Sequence, residues 1–395
     1  MSDLSWEQAA LGFASEEWCS SKDQVFDQLK KNHALPPTRR EFREWAKKSQ
    51  VLPGLLAGGA GGSVSREELL EAENRELRAK LSKGRKGEVQ SERVVRAVEE
   101  ALKSHPPRAR LGVKPPVVKG AHHSHLLLLS DWHGGERVDP EVVNFTNEYD
   151  WEILEARVRE LLAAVLSHKK TSPPANELVI WFGGDMCSGA NHEELAVTNE
   201  YPLAEQAVKV GALQAFVVGQ LAEHYESVRV YVVEGNHPRL SKRPAAKNPH
   251  DNGDWIAGVF MKQALAGVKN VSVEVGRGSV VFEVAGRTVY GWHSDGVRSS
   301  MPGVPWGGLT RRTNQLQAMM PQKIDHFVAG HWHTANVVQG GRLIVNGSLK
   351  GNDEWVLKAL GGGDPPTQLL AEFDQKRERL TSVKYITPVA GLPNA

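Results

Sequence analysis

The stretch Glu177-Leu-Val-Ile-Trp-Phe-Gly-Gly-Asp185 decides how the chain is read. Its apolar part, residues 178–182, is rich in β-branched and aromatic side chains. Pro173-Pro174 and Gly183-Gly184 bound it, which predicts a short buried strand. The strand delivers a carboxylate, Asp185, to the edge where open α/β sheets place their ligands. A strand-end aspartate defines nothing alone, but the arrangement recurs. His125-Leu-Leu-Leu-Leu-Ser-Asp131-Trp132-His133 precedes it, and Val230-Tyr-Val-Val-Glu-Gly235-Asn236-His237 and His326-Phe-Val-Ala-Gly330-His331-Trp332-His333 follow. Four strands that each end in Asp, Asn or His describe one metal site assembled from several loops.

The chain has 395 residues, enough for two or three domains. Hydrophobic residues make up 40% and charged residues 24%, the balance of an ordinary globular protein. A formal net charge of +1 implies no global field for a polyanion. The first 120 residues nevertheless carry about five net positive charges, leaving the remainder slightly acidic. No apolar run of about eighteen residues and no signal-peptide pattern is present, so a cytoplasmic protein without a membrane partner is expected. Two cysteines, Cys19 and Cys187, build no disulfide framework.

Residues 1–53 read as a small helical region, with helices expected over 5–13, 22–31 and 38–48. Thr38 with Glu41 makes a capping box. The last helix is basic outside and turns Phe42, Trp45 and Ala46 inward. It suits either a helix-turn-helix DNA reader or a plain bundle with solvated cations. Residues 54–121 read as a connecting region: a glycine-rich linker at 54–63, amphipathic helices at 63–82 and 91–104, and proline-stiffened chain beyond. Leu70, Asn74, Leu77 and Leu81 give 63–82 a heptad-like stripe that could pair two copies of the chain. His122, His123 and His125 lie on what reads as a linker entering a strand, and a structural role is expected for them. Residues 122–395 then read as one domain, which carries the four strand-end motifs. Helices are expected over 149–169, 202–225 and 253–265. Short strands are expected over 271–275, 280–284, 288–292, 342–345, 369–373 and 383–386.

From about residue 122 to 388 the motifs resemble those of the calcineurin-like metallophosphoesterases: Asp131-x-His133, Gly184-Asp185, Gly235-Asn236-His237, His293 and Gly330-His331-x-His333. The surrounding Gly-Asp-Met-x-Ser-Gly and Gly-Asn-His-Pro-Arg-Leu-Ser-Lys segments look like members often found in bacteriophage genomes. The resemblance implies an α/β fold, a four-layer αββα sandwich, preceded here by the all-α N-terminal region. It also implies a dinuclear-metal phosphoester hydrolase working by metal-activated water attack. Asp185 would bridge the two metals, with Asp131, His133 and His333 completing one and Asn236, His293 and His331 the other. His237 would be a non-ligand general acid. Oxygen and nitrogen ligands without thiolate suit Mn²⁺ first, with Fe, Zn²⁺ or Mg²⁺ as alternatives. Two departures stand out: Pro238 follows Gly-Asn-His where many relatives carry an acid, and Trp292 precedes His293 where glycine is usual.

Arg239, Lys242 and Arg243 begin two residues past His237, and Arg298 follows His293, so these are candidate substrate-binding cations. They point to a phosphodiesterase or nuclease acting on nucleic acid or nucleotides. Alternatively they are solvated or paired with Asp251, Asp254 and Asp295, which leaves a protein or small-molecule phosphomonoesterase. A third reading is a non-catalytic, metal-bound scaffold that binds DNA or a partner. The sequence from 295 to 312 is expected to be an added loop.

Overall fold

A computed structural model describes residues 9–11, 14, 21–32, 37–49, 52, 117–191, 195–240, 251–297, 303–354, 356–357 and 363–393. The chain divides into two compact units, Met1–Val89 and Gln90–Ala395. In the first, α1 (Lys22–Asn32) and α2 (Arg39–Lys48) bury Val25, Phe26, Leu29, Phe42 and Ala46, with Trp45 packed against them. Thr38 caps α2 and forms the expected capping box with Glu41. Arg39, Arg40, Arg43 and Lys47 are exposed on the opposite face. The expected helices at 63–82 and 91–104, and with them the dimerisation stripe, lie outside the described residues.

The second unit is built on two sheets. Strands β1 (His123–Leu129), β2 (Ala175–Phe182), β3 (Ser227–Val232) and β4 (Val271–Val275) run parallel side by side. Against β1 lies antiparallel β10 (Gln368–Asp374), and β11 (Arg379–Ile386) closes that edge. The second sheet has the order β5 (Ser279–Val284), β6 (Arg287–Trp292), β7 (His326–Ala329), β9 (Leu343–Val345), β8 (Asn336–Val338), with β6, β7 and β9 parallel.

Side-chain alternation produces the layers. Leu127 and Leu129 of β1, with Leu178, Ile180 and Phe182 of β2, pack against α3 (Trp151–Thr171), α4 (Leu203–Ala222) and α5 (Gly253–Ala264). The intervening residues Leu126, Leu128, Val179 and Trp181 face the other way, onto Phe282, Val289, Val328 and Ile344 of the second sheet. That sheet's outer face, Tyr290, Trp292, Phe327 and Leu343, is covered by Leu309 and Leu316 of α6 (Trp306–Met319). Helix, sheet, sheet, helix is the expected four-layer α/β sandwich. Trp181 sets the closeness of the sheets, because a Cβ on Gly291 of β6 would stand 2.4 Å from its indole nitrogen. No described helix is long and apolar enough to cross a membrane.

Two sequence expectations need correction. His123 and His125 are not on a linker: they are residues of β1 and pair with Asp374 and Glu372 of β10. The added segment after His293 is not all loop, since Trp306–Met319 is the helix α6 and carries Arg311 and Arg312 exposed on it. Its buried residues Leu309, Thr313 and Leu316 do follow helical spacing. Gly307 and Gly308 in its first turn made the segment read as irregular.

Candidate metal centre

Every candidate ligand follows the C-terminal end of a parallel strand: Asp131 and His133 after β1, Asp185 after β2, Asn236 and His237 after β3, His293 after β6, and His331 and His333 after β7. Because β1–β3 and β6–β7 are neighbours in their sheets, these ends meet along one rim. Three groups result: Asp131, His133 and His333; His133, Asp185 and His237; Asp185, His293 and His331. Within each group the potential ligand atoms lie no more than 4.8 Å apart. His133 and Asp185 each belong to two groups, so the three are one continuous centre. Asn236 joins it through Oδ1, 3.1 Å from His293 Nε2.

The backbone is bent to bring these side chains together. Asp131, His133, Asp185, His331 and His333 all hold positive φ, between 51° and 79°. Non-glycine residues there are uncommon, and strain of this kind clusters at functional sites. Gly235 allows the closest approach, since a Cβ on it would lie 2.1 Å from both the amide nitrogen and Oδ1 of Asp185.

His293 donates from Nδ1 to Gly183 O at 2.8 Å, which turns its Nε2 toward Asp185 Oδ2 at 2.9 Å and Asn236 Oδ1 at 3.1 Å. Asp185 Oδ2 is buried and accepts no hydrogen bond. His133 Nε2 and His333 Nε2 face each other at 3.0 Å, with Asp131 Oδ1 3.4 Å from the latter. With the histidines neutral, these converging nitrogen and oxygen atoms fit a divalent cation.

The electrostatics agree. Burial works against charge on His293, yet the adjoining Asp185 carboxylate overrides it and moves its pKa up to about 10. Burial opposes the Asp185 anion as well, but His293 and His237 hold its pKa well below the usual carboxylate range. A field that favours an imidazolium there favours a metal ion too. Burial, then Lys350, keeps His133 neutral, and burial, then His293, takes His331 down to about 4. Neutral imidazole is the ligating state.

Around the candidate ligands lies a supporting shell that has no mark in the sequence reading. Glu136 Oε2 stands 3.5 Å from His133 Nδ1 and accepts from Ser188 Oγ, while its Oε1 accepts from the buried Lys350 ammonium at 2.9 Å. Lys350 also pairs with Asp353. Ser348 Oγ donates to Asp131 O at 2.7 Å. Asp254 accepts from the backbone N–H of Met186, Cys187 and Gly235, binding the β2 and β3 loops together. Burial and the nearby Asp185 push its pKa up to about 7. Glu136, three residues after His133, was the one readable signal; Lys350 and Asp254 reach the site only through the fold. Glu136→Gln is expected to weaken metal binding by about 10–100-fold, the usual worth of a carboxylate behind a ligating histidine. Metal titration of the purified variant checks this.

Arg239 is ion-paired with Asp295, so its charge is compensated within the protein. Lys242, Arg243 and Arg298 lie outside the described residues. Cys187 is buried and in none of the clusters, and burial, reinforced by Asp254, drives its thiol pKa up.

No protein-family model and no curated protein matches the sequence. Solved structures do overlap with it. Vacuolar Protein Sorting 29 from Cryptosporidium parvum shares 16% identity over 67% of this chain and 99% of its own, with a TM-score of 0.31. The corresponding Entamoeba histolytica protein, complexed with zinc, shares 11% over 67% and 98%, with a TM-score of 0.28. YfcE, a phosphoesterase from E. coli, shares 16% over 67% and 100%, with a TM-score of 0.29.

Proposed function

We propose that the chain is a metal-dependent phosphoester hydrolase with a dinuclear centre bridged by Asp185, acting first on phosphodiesters of nucleic acid or nucleotides. The observation that carries this is that Asp185 adjoins His293 and His331 on one side and His133 on the other, where a carboxylate would bridge a pair of cations about 3.5–4 Å apart. In this reading Asp131, His133 and His333 hold one ion and Asn236, His293 and His331 the other, with Mn²⁺ ahead of Fe, Zn²⁺ or Mg²⁺. Such a pair supplies Lewis-acid stabilisation of the phosphoryl oxygens and a more acidic attacking water. The protein contributes position and protons. Glu136, itself held by Lys350, stands behind the His133 ring, Gly183 O fixes His293, and His237 gives a proton to the departing alkoxide.

The diester preference draws on the cations at 239–243 and at 298, which adjoin His237 and His293 in the sequence. One observation favours the phosphomonoesterase alternative: the pairing of Arg239 with Asp295 removes one of those charges from substrate binding. An Mn²⁺-supplemented panel separates the two, using bis-p-nitrophenyl phosphate, p-nitrophenyl phosphate, single- and double-stranded DNA, and a phosphopeptide. Faster turnover of the diester together with DNA cleavage is expected. Preference for the monoester or phosphopeptide would move the assignment to a phosphatase, and inactivity across the panel with each of the four metals would end it.

A further inference from the structure

At the opposite end of β1, six residues and so about 20 Å from Asp131, lies a second group of metal-type ligands. His123 and His125 are spaced i, i+2 on the helix-facing side of the strand. Glu372 is the direct cross-strand neighbour of His125 on β10, and His168 comes from the last turn of α3. Glu372 Oε2 lies 3.4 Å from His168 Nε2 and 4.0 Å from His125 Nε2. The three potential ligand atoms of His125, His168 and Glu372 are all within 4.8 Å of one another.

We propose that His125 Nε2, His168 Nε2 and Glu372 Oε2 form a second, structural site for a zinc-type divalent cation, which fastens the C-terminal end of α3 to the sheet. Two independent features support it. First, His125 is fully buried, yet its Nε2 makes no hydrogen bond, and the same holds for His168 Nε2 and His123 Nδ1. Ring nitrogens converge on one carboxylate without the alignment of hydrogen bonds, a costly arrangement for a network of protein groups alone. Second, two of the three ligands, His125 and Glu372, have a backing partner, as bound histidines and carboxylates normally do. His125 Nδ1 meets the Tyr225 hydroxyl at 2.7 Å, which leaves Nε2 for an ion. Glu372 Oε1 accepts from Thr381 Oγ1 at 3.3 Å and faces His123 Nδ1 at 3.1 Å, which leaves Oε2 for an ion.

The separations suit the ion. Tetrahedral zinc with bonds of about 2.0–2.1 Å sets its ligand atoms about 3.3 Å apart. The two histidine–carboxylate separations of 3.4 and 4.0 Å need closure of under about one ångström, and the histidine pair, within 4.8 Å, needs at most about 1.5 Å. Burial, then the neighbouring His168 and Lys169, holds His125 neutral, with a pKa pulled down to about 3. The Lys169 ammonium is committed elsewhere, donating to Ala175 O and lying over the Tyr225 ring. Three protein ligands leave a fourth position for water on the side where His168 is partly exposed.

The test uses the full chain carrying Asp185→Asn, so that its outcome does not depend on the function proposed for the other centre. Zinc bound per chain is measured by equilibrium dialysis and elemental analysis in this parent, and again after adding His168→Ala or Glu372→Gln. Each added change is expected to remove one equivalent of zinc and the zinc-dependent rise in Tm. Unchanged zinc stoichiometry in a variant with the parent's far-UV circular dichroism overturns the proposal. His168→Ala sits at a partly exposed helix end and Glu372→Gln preserves shape, so the variant that keeps the parent spectrum decides.

Discussion

Asp185→Asn is expected to release metal and to lower phosphoester hydrolysis by orders of magnitude, the largest effect of any single substitution in this chain. The side chain stands in two of the three ligand clusters, and its Oδ2 faces His293 at 2.9 Å while its Oδ1 accepts from the His237 N–H at 2.8 Å. An asparagine oxygen can still accept from that N–H, so the loop after β3 keeps its anchor. What disappears is charge. Two divalent ions a few ångströms apart repel strongly, and a buried anion between them is the feature that lets both stay. The same anion is what raises His293 against its burial, so its removal also weakens the field at the second cluster. Elemental analysis and Mn²⁺-supported turnover of a diester check the prediction together. Normal metal content with normal turnover would mean that Asp185 is not the bridge.

The parts of the fold that could be read in the sequence are those with strong local signatures. Parallel strands buried on both faces, such as Leu126–Leu129 and Leu178–Phe182, announce themselves as continuous apolar runs. Candidate ligands that follow such runs directly, Asp131 and Asp185 among them, are legible because strand and carboxylate adjoin in the sequence. The supporting shell is not. Lys350 is more than two hundred residues from Glu136, and only the meeting of the two sheets makes them a buried pair. The setting of His125 is hidden for a related reason, since its cross-strand neighbour Glu372 lies 247 residues later. Within a stretch of histidines ahead of an apolar run, nothing local reveals a cross-strand carboxylate. The helix α6 was hidden by glycine in its first turn, even though its buried residues keep helical spacing.

His237→Ala is expected to retain both ions yet slow hydrolysis by roughly 10²–10⁴-fold, the usual worth of a positioned general acid. His237 follows Asn236 on the same loop, its N–H is fixed by Asp185, and its ring lies edge-on to His133 at a centroid distance of 4.6 Å. It is only partly buried, so unlike His133 it can reach a group arriving from solvent. An acid matters in proportion to the basicity of what leaves. The defect should therefore be large for an alkyl ester and small for p-nitrophenolate, which departs with little need of a proton. Because His237 also falls within ligand distance of His133 and Asp185, metal content must be measured on the same sample. Loss of an ion would make His237 a ligand, whereas retained metal with equal slowing of good and poor leaving groups would assign it to orienting the phosphate. Only retained metal with a leaving-group-dependent defect identifies it as the proton donor.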